Sequence, residues 1–195
     1  MGRRGSSVQR SRFTRLTVAV IFALAVFNPY TERLEGSSPL VYMLSHYSLI
    51  LSGLVAGSGL LRLRHKLWLF GCAIIFLWHL PLPFALAASQ PLFRGTEEFS
   101  LLLSGLLVGS SLGSSKGITK GLLFIAWLVG DTLLAILFLI RPEFYASDGL
   151  RASPFAPAGF ALAGVGMVLF MNAATAYIAY AYIKAIYSRA EGVPS

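Results

Sequence analysis

The sequence predicts an all-α fold, an integral membrane bundle of six transmembrane helices. Three observations predict it. Of the 195 residues, 56 % are hydrophobic and 12 % charged, about half the ~25 % charge of a soluble domain. The apolar residues gather in runs of about 20, the length a helix rising ~1.5 Å per residue needs to cross ~30 Å of hydrocarbon. Those runs are unbroken rather than alternating, which selects helices over the strands of a closed barrel, the other architecture lipid tolerates. A soluble globular protein is excluded. The net charge of +8 reads as membrane topology and not as a nucleic-acid footprint.

Residues 1–15 carry five Arg and no acid and read as a basic cytoplasmic arm, disordered or lying on the surface. Residues 16–188 read as a single six-helix transmembrane domain, and 189–195 as a cytoplasmic tail. Span one covers about 13–30 and ends at Asn28-Pro29, because a residue before proline disfavours the helical region. Its basic-flanked apolar run imitates a signal peptide, but no small-x-small cleavage pattern follows, so it reads as uncleaved. Span two covers about 39–61 and is stopped by Arg62, Arg64, His65 and Lys66. Span three covers about 67–88, with a kink at Pro81 and Pro83 just after His79. A loop over 89–98 leads to a short span four, about 96–112, that opens on Glu97-Glu98. Span five covers about 121–140, and span six about 158–187 after a long loop over 141–157.

Alternation of the loops puts Arg3, Arg4, Arg10, Arg12, Arg15, Arg62, Arg64, Lys66, Lys116, Lys120, Lys184 and Arg189 on one side, and Arg33, Arg94, Arg141 and Arg151 on the other. That asymmetry places both termini in the cytoplasm of a plasma-membrane protein.

Residues 45–59, SHYSLILSGLVAGSG, recur at 97–111 as EEFSLLLSGLLVGSS, shifted by 52 positions with eight of fifteen identical. The shift suggests an internal repeat of two helical hairpins, about 39–88 and 96–140. Both hairpins start and end outside, so the repeat is parallel. The faces Gly53-x-x-x-Gly57 and Gly105-x-x-x-Gly109 allow close helix approach. Spans two to five then form a pseudo-twofold four-helix core, with spans one and six outside it.

The same shift sets His46 against Glu98 and His79 against Asp131. All four fall in the outer half of the membrane, where ionisable groups face a bundle interior or a cavity. Two imidazoles and two carboxylates suit a divalent metal, and Met43, one turn before His46, adds a soft donor for copper. Haem on His46 and His79, a proton or ion pathway, and a polar network with no cofactor are the other readings of the same residues. Cys72 lies in an apolar run and reads as packing, Asn172 as an interhelical hydrogen bonder, and His65 as a solvated loop residue. No nucleophile triad, phosphate loop or HExxH motif occurs, so nothing argues for an enzyme.

The motif WHLP at 78–81, followed by Glu97 before Phe-Ser-Leu-Leu, resembles CtaG-type cytochrome c oxidase assembly factors. Those carry an early His-Met-x-x-His-like motif, of which this chain keeps Met43 and His46 but has Tyr42 in place of the first His. Glu97 matches the family Glu, and Glu98 stands where a His is expected. The chain is still more similar to an archaeal six-helix membrane family of unknown function, through NPYTE, YMLSHYSL and a late FMN over 170–172. The resemblance implies a role in maturing haem–copper oxidases, with copper as cofactor and oxidase subunits and the lipid bilayer as partners.

Overall fold

The computed structural model describes residues 3–60 and 66–190. Among them the protein is all-α, with eight α-helices, one short 3-10 turn and no strand. In order they are α1 (Arg3–Val26), α2 (Pro29–Glu35), α3 (Pro39–Leu60), α4 (Trp68–Trp78), α5 (Pro81–Ser89), α6 (Pro91–Leu112), α7 (Gly117–Ile140), the turn Pro142–Phe144, and α8 (Pro157–Ala190). Arg62, Arg64 and His65 lie outside the described residues, as does the tail over 191–195.

Helices α3, α7 and α8 are each long and apolar enough to cross a membrane, and counting the bent pairs α1–α2 and α4–α5 as one span each raises the number to five. Sequence reasoning expected six. The remaining helix, α6, carries Arg94, Glu97 and Glu98 in its first half, and it packs against α3, α4 and α5. A helix wrapped by neighbours can hold these charges without presenting them to lipid.

Two breaks shape one end of the bundle. Asn28 ends α1 and starts α2: its amide nitrogen donates to the Ala25 carbonyl at 2.9 Å, and its oxygen accepts from the Tyr30 and Thr31 amides. The two helices bend by 57° there. At WHLP, α4 stops at Trp78, Leu80 is extended, and Pro81 opens α5 at an angle of 74°. Proline cannot continue the α4 ladder but suits the first turn of a new helix.

The centre is the crossing of α3 and α6. A Cβ on Gly53 would lie 2.1 Å from the Leu102 carbonyl oxygen, and one on Gly105 would lie 2.2 Å from that of Ile50. Gly57 meets Leu106, and Gly109 meets Leu54, in the same way. The contacts advance in one direction along both helices, so α3 and α6 run parallel, and each contact has its counterpart 52 positions away. The other six helices do not repeat this relation. Helix α4 packs on α6, whereas α7 packs chiefly on α8 and reaches α3 and α5 through side chains such as Asp131 and Phe138.

Three further differences separate the structure from the sequence reading. Helix α1 is already formed at Arg3, through most of the basic arm; no glycine or proline interrupts 6–27. Helix α6 begins at Pro91, so Glu97 and Glu98 sit more than a turn inside it and not at its start. The 141–157 loop folds back into the bundle, where Tyr145, Ala146 and Phe155 are buried in an aromatic cluster with Tyr42, Phe84, Phe138 and Phe160.

Candidate functional site

The inward face of α6 sets the site. Its buried residues Glu97, Leu101, Ser104, Gly105 and Val108 follow helical spacing, so Glu97 points into the bundle. Glu98, about 100° round the helix, is only half-buried.

Glu97 is fully buried, and its two oxygens face two residues of α3. Tyr42 donates its hydroxyl to Oε2, and Oε1 lies 3.3 Å from His46 Nε2. Tyr42 and His46 are one turn apart on α3 and in ring contact, centroids 4.4 Å apart. His46 is 1 % exposed, yet neither ring nitrogen is aligned with a hydrogen-bond partner, and neither is Glu97 Oε1. Buried polar atoms are rarely left so, because each costs about 1–3 kcal/mol.

His79 stands next to this pair, its ring 5.4 Å from that of His46 and edge-on. It caps α4, and its Nδ1 is 2.7 Å from the Ile75 carbonyl. A carbonyl only accepts, so Nδ1 carries the hydrogen and Nε2 of the neutral ring holds the lone pair. Tyr145 donates to the His79 carbonyl at 2.8 Å; burial pushes this loop phenol up to about 12, so it keeps its proton at neutral pH.

Next to this cluster sits a charged pair. Arg94 lies 3.6 Å from Glu35, which is buried at the end of α2. The guanidinium also covers the Tyr42 ring at 5.5 Å and donates to the Ala88 carbonyl at 2.9 Å. Tyr42 is thus held between a cation on its face and a carboxylate at its hydroxyl. Further out, Arg141 beside the exposed Glu143 holds that carboxyl below its ordinary range.

Of the residues proposed from sequence, His46 and His79 are brought together, and Met43 is fully buried beside Tyr42 in the aromatic core. Glu98 is turned away from the imidazoles, and Glu97 takes the place facing His46. Asp131 is not in contact with His46 and instead accepts from the Tyr47 hydroxyl at 2.7 Å. It shares a cavity with His79 but does not touch it. Among the described residues, no three His, Cys, Asp or Glu side chains are grouped to hold a metal ion. Asn172 bonds back to the Val168 carbonyl of its own helix at 2.7 Å, not across helices, and Cys72 is free and half-buried.

Sequence reasoning missed Tyr42 as the partner of Glu97, and missed Arg94 and Glu35. The signal for Glu97 was present: the small and apolar residues 101, 104, 105 and 108 share its face, not that of Glu98. No local signal joins Glu35 to Arg94, which are brought together by the bend at Asn28.

The fold and site define a helical protein with several helices long and apolar enough to cross a membrane and a buried His–carboxylate–Tyr cluster at one end. Residues 17–185 match the family described as protein of unknown function DUF1404, and the chain belongs to that family. No curated protein and no solved structure matches it.

Proposed function

We propose that the protein is a non-enzymatic assembly factor or accessory subunit of a respiratory haem–copper oxidase, built as six spans with both termini in the cytoplasm. One observation carries this reading. His46 is buried with neither nitrogen in an aligned hydrogen bond, its Nε2 3.3 Å from the Glu97 carboxylate and its ring against that of His79. Such a group is suited to a cation that comes and goes.

The donor set suits a copper ion held weakly. His46 and His79 would supply imidazole nitrogens, with Met43 close by in the core as a soft donor. The Ile75 carbonyl orients His79 as a ligating imidazole is usually oriented, through its other ring nitrogen. Glu97 is engaged with Tyr42 through one oxygen, and among the described residues no three His, Cys, Asp or Glu side chains are grouped to hold a metal ion. A site of few ligands favours transfer over permanent retention, as a delivery role requires. Bound copper would supply no reaction step here; the protein's part is to shield it from water and release it.

The 52-residue shift and the reciprocal glycine contacts of α3 and α6 support an internal parallel repeat as the origin of this architecture. The same contacts argue against the alternative of a proton or ion channel. Below His46, the backbones of α3 and α6 touch at Gly53, Gly57, Gly105 and Gly109, which leaves no wet path between them to the cytoplasmic side. A haem on His46 and His79 is a third reading, and the absence of a Soret band in purified protein would remove it.

The test is a clean deletion in the source organism, with oxidase activity and membrane copper measured against the parent and against a His46→Ala, His79→Ala strain. Both quantities should fall in both strains. Normal oxidase activity in the deletion would sink the proposal.

A further inference from the structure

A cavity of about 570 Å³ lies between α4 and α7, within the range of small-molecule sites. The two helices are not packed on one another. Phe144 and Tyr145 of the 141–157 loop close one end, and Cys72 and Leu123 lie towards the other. The walls are apolar. Phe76 on one side and Leu133 on the other are also 69 % and 58 % exposed, so a ligand would enter from the lipid rather than from water.

The polar side chains that line this slot are His79, Asp131, Trp127 and Tyr145. The two donors are already engaged, Tyr145 with the His79 carbonyl and Trp127 with Asp131, which leaves His79 and Asp131 as acceptors. His79 has committed its Nδ1 hydrogen to Ile75, which leaves Nε2 with a lone pair. Asp131 accepts from Tyr47 through Oδ2 and has lone pairs to spare. A lipid acyl chain would match the walls but leave both acceptors unanswered. The matching molecule has an apolar body, a long apolar tail and two hydroxyl donors on a flat ring.

We propose that the α4–α7 cavity binds a quinol, with its hydroxyls shared between His79 Nε2 and Asp131 and its tail running out into the bilayer. Two acceptors favour the reduced form, because the carbonyls of a quinone would need donors. The proposal does not rest on the oxidase reading. It competes with the copper reading for one atom, His79 Nε2, which serves a single partner at a time.

The test uses the full chain, purified in detergent and freed of metal with EDTA. Binding of decylubiquinol, kept reduced under argon, is compared with that of decylubiquinone and of decanol, by thermal shift and by equilibrium binding. Decylubiquinol should bind roughly tenfold more tightly than the other two, the ratio one good hydrogen bond supplies. Gly130 lines the cavity, and a Cβ there meets nothing within 4 Å. Gly130→Leu should therefore fold normally and lose the quinol, and Ala126→Leu, in the same wall, is the second obstruction. Equal or tighter binding of the quinone or of decanol, no binding by folded wild type, or unchanged quinol binding in both folded variants would overturn the proposal.

Discussion

His46 Nε2 and Glu97 Oε1 lie 3.3 Å apart in the buried interior of the protein, and neither atom has an aligned hydrogen-bond partner. The other Glu97 oxygen accepts from Tyr42. Glu97→Gln keeps an acceptor for Tyr42, whereas Glu97→Ala leaves the buried hydroxyl bare. The alanine variant should be less stable than the glutamine variant by about 1–3 kcal/mol, read from thermal unfolding in detergent. Equal midpoints would mean that the Tyr42 bond contributes nothing.

Gly105 sits where any side chain would strike the α3 backbone, with the Ile50 carbonyl oxygen 2.2 Å from an added Cβ. Gly105→Ala should force α3 and α6 apart and destabilise by about 1–3 kcal/mol, as overpacking does. Gly121→Ala, where nothing lies within 4 Å of the added Cβ, should be neutral. Comparable unfolding midpoints for the two variants would refute the close crossing.

Tyr47 ties α7 to α3 through Asp131 at 2.7 Å, and its ring stacks on Phe170 of α8 at 4.3 Å. Tyr47→Phe keeps the stack and removes the bond. It should cost about 1–3 kcal/mol, with most of that loss absent when Asp131→Leu is already present. Additive losses in this double-mutant cycle would show that the two residues act independently.

Topology is open to direct measurement. In a Cys72→Ser background, Ser115→Cys in the turn before α7 should react with an impermeant maleimide only from the cytoplasmic side. Asp148→Cys in the 141–157 loop should react only from outside. Labelling of both positions from one side would overturn the six-span arrangement that the basic residues suggest.

Much of the architecture was legible in the sequence because lipid burial is a local property. Each apolar run states its own solvent, and the breaks at Asn28-Pro29 and at WHLP are statements about a missing amide and a forbidden backbone angle. The serine and glycine pattern of α3 and α6 likewise announced a close approach, since only small residues permit it.

The site was legible only in part. His46 and His79 could be singled out as costly in a membrane, and they do meet. Their companion was set by rotation. A step of about 100° along α6 puts Glu97 against His46 and leaves Glu98 half-buried outside. The 74° turn at Pro81 and the returning loop decide that Tyr145 reaches the His79 carbonyl. The packing of α7 on α8 rather than on α4 is what opens the cavity between His79 and Asp131. Which helices are needed follows from transfer energies summed along each segment. Which side chains face one another follows from angles between segments, and those angles are fixed by packing among residues far apart in the chain, such as Tyr47 and Asp131.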